Sequence, residues 1–163
     1  MGQKELIKKI RPLNRGGGTV RSLTIQKVEE MEDQTWFEAG IQNYSGIFGF
    51  AAATDYLKKI GMDNIQNHEK RLCDLFLKEV KAEIYGSKNG IMTFNIKNAK
   101  PHEVALLLDK ESIALRSGYF CAQPSIELFS KTGAIRASTY IYNTEEDIKK
   151  LAEKIRKISI LYS

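Results

Sequence analysis

"AIRASTYIYNTEEDIKKLAEKIRKISI", residues 134–160, holds two kinds of periodicity in one run. Its first part, "AIRASTYI" (134–141), is rich in branched and aromatic side chains and reads as a strand. Thr144 followed by Asp147 then has the spacing of a helix capping box. Ile148, Leu151, Ile155 and Ile158 recur at helical intervals beyond it and give one apolar stripe. A strand leading into a one-sided helix implies a small sheet with that helix laid on it.

Working outward from this run, "PSIELFSKTG" (124–133) has room for a helical turn or two, and "SIALRSG" (112–118) reads as another strand. Pro101 stands where a first helical residue is tolerated, so "PHEVALLLDK" (101–110) reads as a short helix. "AEIYG" (82–86) and "GIMTFNI" (90–96) are strands joined by "SKNG", and Asn89-Gly90 is a hairpin signal. A helix is predicted from about Asp63 to Lys81, with Ile65, Leu72, Leu75, Phe76 and Val80 on its buried side. Before it, Ile47, Phe48, Ala51, Ala52 and Leu57 recur at helical spacing from Tyr44 to Ile60, and Gly61 stops that helix. The polar stretch Gln26 to Gln34 reads as a loop and "TVRSLTI" (19–25) as a strand. "NRGGGT" (14–19) reads as a flexible turn, and residues 1–11 as the tail of a helix ending before Pro12. The order helix, helix, hairpin, helix, strand, strand, helix is that of an α+β fold, helices packed on a small, mainly antiparallel sheet.

A chain of 163 residues, 42% hydrophobic and 28% charged, can bury a core of its own. The net charge of +5 comes mostly from lysines on predicted helix faces. No basic run is interleaved with aromatics, which argues against nucleic acid as a partner. No apolar run approaches the ~18 residues of a membrane span, and the first residues carry no apolar signal core. Two cysteines and no such signal suggest free thiols in a reducing cytosol. With no CxxC pair and two histidines, nothing here suggests a structural metal site.

The cysteines differ. Cys73 falls mid-helix between Leu72 and Phe76 and reads as core. Cys121 lies in "RSGYFCAQP" (116–124), with Arg116 before it and Pro124 after it, and reads either as a reactive thiol in a loop or as a small core residue. His68 and His102 fall on predicted helices and read as ordinary helix residues.

Three segments together decide between these readings of Cys121. "FEAGIQN" (37–43), "IALRSGYFCAQP" (113–124) and "GAIRASTYIYNTEEDIKKL" (133–151) resemble the C-terminal part of cysteine desulfurases and the related selenocysteine lyases. These are class V aminotransferases, pyridoxal-phosphate enzymes of fold type I. The glycine triplet 16–18 fits as well, and the resemblance runs from about residue 3 to residue 160.

The resemblance implies that residues 1–42 are the end of a large cofactor domain, 43–62 a connecting helix and 63–163 the small C-terminal domain. It implies that Cys121 takes sulfur from L-cysteine as a persulfide, releasing alanine, for iron–sulfur cluster or other sulfur-cofactor assembly. Arg136 would grip the substrate carboxylate, for which a planar guanidinium is suited. Arg116 would line the site or brace the loop. Asn43 would lie near the cofactor, or cap the following helix, or both, and Glu38 would order its loop. Gly18, Ser22 and Thr24 would approach the cofactor phosphate of the partner subunit; the family's hydroxyl position falls near Leu23 here. The family's cysteine is often preceded by two histidines, where this chain has Tyr119 and Phe120.

The family's cofactor lysine usually follows a histidine, and this chain contains no His-Lys pair. Pyridoxal 5′-phosphate chemistry would thus belong to the complete enzyme, and this chain alone is expected to be inactive. The expected partners are L-cysteine, a sulfur-acceptor or scaffold protein, and either a second copy or a complementing N-terminal half. Three other readings stay open: a non-catalytic sulfur-relay or partner-binding module, a related class V aminotransferase or selenocysteine lyase, and, on charge alone, a basic nucleic-acid-binding domain.

Overall fold

The computed structural model describes residues 4–7 and 9–163 and divides into two compact units, 1–56 and 57–163. Residues 1–3 and 8 of the expected N-terminal helix lie outside the described residues; Lys4–Ile7 form α1.

In the first unit, β1 (Val20–Leu23) pairs antiparallel with β2 (Val28–Glu30), so the expected loop at 26–34 is in part a strand. Its polar residues hide it: β2 reads Val-Glu-Glu and is mostly exposed, so it lacks the apolar alternation that marks a half-buried strand. The turn between the strands is closed by Thr24, whose N–H donates to the Lys27 carbonyl at 2.8 Å. A single 3-10 turn, Gln34–Phe37, follows, capped by the Asp33 side chain.

α2 spans Tyr44–Ile60, as the spacing predicts, but none of its residues is buried. Ile47, Phe48, Phe50 and Tyr56 are all more than half exposed, an apolar surface with no cover among the described residues. Gly61, at φ +91°, ends α2 and immediately caps α3 (Met62–Glu79); the left-handed backbone is what lets the chain turn there.

The second unit holds the core. β3 (Glu83–Lys88), β4 (Ile91–Asn95), β5 (Arg116–Gly118) and β6 (Ala134–Ser138) form an antiparallel sheet in the order β3-β4-β6-β5. Asn89 and Gly90, at φ +51° and +71°, close the β3–β4 hairpin. The register sets Met92 opposite Ala137 and Phe94 opposite Ile135, and all four are buried. Against this face lie α3, α4 (Pro101–Asp109) and α6 (Glu145–Leu161), which contribute Leu72, Phe76, Val104, Leu108, Ile148, Leu151 and Ile155. Cys73 belongs to the same core, its thiol 3.5 Å from the Met92 sulfur.

The capping box at Thr144 is complete. Its hydroxyl accepts from the Asp147 N–H, and the Asp147 carboxylate accepts from the Thr144 N–H at 2.9 Å. That backbone hydrogen bond is the main cause holding the Asp147 carboxyl below its ordinary value. A lowered carboxyl stabilises the fold above the ordinary carboxylate range and loses that contribution as pH falls through the lowered value. Thr144→Ala should cost about 1 kcal/mol at neutral pH, measured by urea unfolding. Asp147→Asn should lessen the loss of stability on acidification.

Candidate functional site

The four sheet residues that face away from the helices carry the polar chemistry. Side chains alternate across a strand, so the burial of Phe94 and Ile135 toward the helices turns their neighbours Thr93, Asn95 and Arg136 to the opposite face. The ladder puts Arg116 of β5 directly opposite Arg136 of β6, with Thr93 opposite Arg136 on its other side. Directly opposed residues of an antiparallel pair share a face, and like charges there repel. Neither arginine forms an ion pair among the described residues. The Nε of Arg136 is buried and has no hydrogen-bond partner. Two unneutralised guanidinium groups with an orphaned donor between sheet and loop are suited to an anion such as a carboxylate. Arg116→Gln should therefore stabilise the ligand-free chain by about 0.2–1 kcal/mol, seen as a higher urea midpoint. A lower midpoint would show that Arg116 braces the loop instead.

The segment after β5 crosses this polar face. Tyr119 donates its hydroxyl to the Lys131 carbonyl at 2.9 Å, and Asn95 donates to the Gly133 carbonyl at 2.9 Å and to Ser130 at 3.2 Å. Gly118 and Gly133 are in close approach: a Cβ at Gly133 would lie 3.0 Å from the Gly118 Cα. Between these ties the backbone makes a tight turn, the Ala122 N–H donating to the Tyr119 carbonyl at 2.8 Å. Both central residues are left-handed, Phe120 at φ +55° and Cys121 at φ +58°. Cys121 is exposed on this turn, and Arg136 Cζ lies 5.2 Å from the centre of the Phe120 ring. α5 (Gln123–Ile126) then opens with Pro124 in its first turn. The thiol is therefore a surface group of a constrained turn, with the preceding residue's ring on the arginine, and not a core filler.

The other residues expected at the site lie in the first unit or on helices. Asn43 is an N-cap: its Oδ1 accepts from the Gly46 N–H and the Ser45 hydroxyl, both at 3.0 Å. Glu38 closes the 3-10 turn by donating its N–H to the Thr35 carbonyl. The glycine triplet is held rather than loose. The Gly40 N–H donates to the Gly17 carbonyl at 2.8 Å, which joins two of the segments that carry the resemblance. Gly18 has φ +86°, and the buried Thr19 hydroxyl bonds both backbone groups of Gly16. His68 bonds the Asn143 carbonyl and His102 the Ser117 hydroxyl, both away from Cys121 in the chain and in their partners.

Ser22 and Thr24 do not offer a phosphate seat as they stand. The Ser22 hydroxyl donates to the Glu29 carboxylate at 2.9 Å, and the Thr24 hydroxyl accepts from the Lys27 N–H at 3.0 Å. Hydrogen bonds from Lys27 and Ser22 keep Glu29 ionised to lower pH than usual, so a phosphate at Ser22 would meet a like charge. In this chain both hydroxyls already have partners within the β1–β2 hairpin.

Sequence reasoning missed three contributors. Phe120 registered only as a replacement for a histidine, Asn95 was an ordinary strand residue, and Thr19 was part of a turn. Only the Asn95 position carried any signal, a polar residue within an apolar strand.

The class-V aminotransferase model matches residues 1–151. This chain belongs to the class-V aminotransferase family. It is 36% identical to a probable cysteine desulfurase of Halalkalibacterium halodurans and 34% identical to a cysteine desulfurase of Wigglesworthia glossinidia brevipalpis, each over 96% of this chain. It spans 40% of the length of both relatives. Among solved structures, the apo cysteine desulfurase of Thermococcus onnurineus superposes with a TM-score of 0.82 at 30% identity, over 91% of this chain and 39% of that one. The Escherichia coli cysteine desulfurase CsdA shares the fold, with a TM-score of 0.87 at 24% identity, over 99% and 42%. This class-V aminotransferase chain is therefore a cysteine desulfurase homologue that covers about two-fifths of such an enzyme.

Proposed function

We propose that this chain is the C-terminal region of a cysteine desulfurase, with residues 1–42 the end of a large domain, 43–62 a connecting helix and 63–163 the small domain. In this reading Cys121 accepts sulfur from L-cysteine. Pyridoxal 5′-phosphate, bound in the complete enzyme, supplies the electron withdrawal that weakens the substrate; the present residues bind and accept. Arg136, with Arg116 opposite, holds the carboxylate of the amino acid. The Cys121 thiolate attacks the substrate sulfur, so an S–S bond forms while the carbon–sulfur bond breaks. Its electron pair stays on carbon, which takes up a proton to give alanine. Only the thiolate is competent, and an ordinary cysteine titrates near ~8.5, so neighbouring positive charge favours the reaction. The persulfide then passes to a sulfur-acceptor or scaffold protein.

One observation carries this reading: the exposed Cys121 turn lies against the arginine whose buried Nε has no partner. The test is mass spectrometry of the chain after exposure to a persulfide donor, together with an assay for alanine from L-cysteine. Sulfur on Cys121 without alanine is expected of this chain by itself. No sulfur on Cys121 would sink the proposal, and alanine formation by the isolated chain would overturn its inactivity.

The uncovered apolar residues of α2 also bear on partners. We expect self-association through Ile47, Phe48 and Phe50 in the absence of a complementing N-terminal half. Sedimentation showing a strict monomer at high concentration would count against this.

A further inference from the structure

The turn at 119–122 is costly as built. Left-handed backbone costs a residue with a Cβ roughly 1–2 kcal/mol, and here two such residues are consecutive, neither of them Gly, Asn or Asp. Such strain persists only where the surroundings over-determine it. The closing hydrogen bond from Ala122 belongs to any tight turn. The Tyr119 hydroxyl anchors the residue before the strained pair. Within the pair, the contact in hand is that of the Phe120 ring with the Arg136 guanidinium. Arg136 is itself fixed in the β6 ladder, between Thr93 and Arg116. A cation–π contact of a partly desolvated arginine is worth about 0.5–2 kcal/mol, enough to offset a part of this strain.

We propose that Phe120 is a positioning residue: its ring, held on the Arg136 guanidinium, keeps Cys121 in the left-handed turn that presents the thiol to solvent. The proposal rests on reading Cys121 as the sulfur acceptor, but its test reads geometry and not sulfur transfer. Released from this contact, Phe120 and Cys121 relax toward ordinary backbone angles, which swings the Cys121 Cβ away from its solvent-facing direction.

The test is the rate of alkylation of Cys121 by iodoacetamide in the full chain, from pH 6 to pH 10, with intact mass as readout. Phe120→Leu should slow it about threefold, and Arg136→Gln should do the same. The double variant should be no slower than either single one, because both remove the same contact. The slowing should persist at high pH, where the thiol is fully ionised; a mere change in thiolate fraction would vanish there. Phe120→Trp, which keeps an aromatic face, should restore the rate. Unreactive Cys73 reports that the core is intact, and Phe120→Met takes the place of Phe120→Leu should that variant unfold. Wild-type alkylation in Phe120→Leu at every pH, or effects that multiply in the double variant, would overturn the proposal. Failure of sulfur uptake with this coupling intact would instead overturn the functional reading alone.

Discussion

Cys121→Ser will take up no sulfur from a persulfide donor, whereas Cys73→Ala will take up as much as the unaltered chain. The two thiols are chemically alike and differ in what surrounds them. Cys73 is 3% exposed, among Leu72, Phe76 and Met92, so neither a donor nor a base can reach it. Cys121 is exposed on a turn whose Phe120 ring lies against the Arg136 guanidinium, a group that no carboxylate neutralises among the described residues. Persulfide formation needs a reachable sulfur, and of the two thiols only that of Cys121 is exposed. The readout is the gain of one sulfur atom in mass, mapped by digestion. Sulfur on Cys73, or uptake surviving in Cys121→Ser, would remove the basis for the functional reading.

Phe94→Ala will lower stability by about 3–5 kcal/mol, the largest effect of any single truncation in the sheet. Phe94 lies on β4, with β3 on one side and β6 on the other, and is fully buried. Its ring centre is 5.3 Å from that of Phe76 on α3, tilted 54°, so it joins the sheet to the helix layer. Truncation leaves a cavity that cannot collapse, because Ile135 opposite is fixed by the strand ladder. A single domain commonly has about 5–15 kcal/mol in all, so the variant should be marginal. Urea unfolding followed by circular dichroism measures this; a loss under about 1.5 kcal/mol would mean that the core repacks freely. Because the polar face that carries Arg136 belongs to the same sheet, Cys121 alkylation should change with this variant's unfolding and not before it.

Much of the frame was legible without coordinates. α2 begins and ends where the apolar spacing and Gly61 put it, and α6 starts at the expected capping box. The Asn89-Gly90 hairpin has the left-handed angles that this pair favours. In each case the determining forces act within a few residues: a side chain bonding the next turn, or a missing Cβ. β2 escaped for the converse reason, since its charged residues pair with β1 through backbone alone and leave no apolar signature. The "SIALRSG" strand is likewise shorter than its composition implies, ladder bonds being confined to Arg116–Gly118.

By itself, then, the sequence determined the long helices, the hairpin and the family resemblance, and it singled out Cys121 and Arg136 as candidates. The tertiary structure decided how these are used. Register across two strands placed Arg116 opposite Arg136, and a left-handed turn brought Phe120 onto Arg136. Such juxtapositions depend on contacts between segments that are distant in the chain, and no local spacing encodes them.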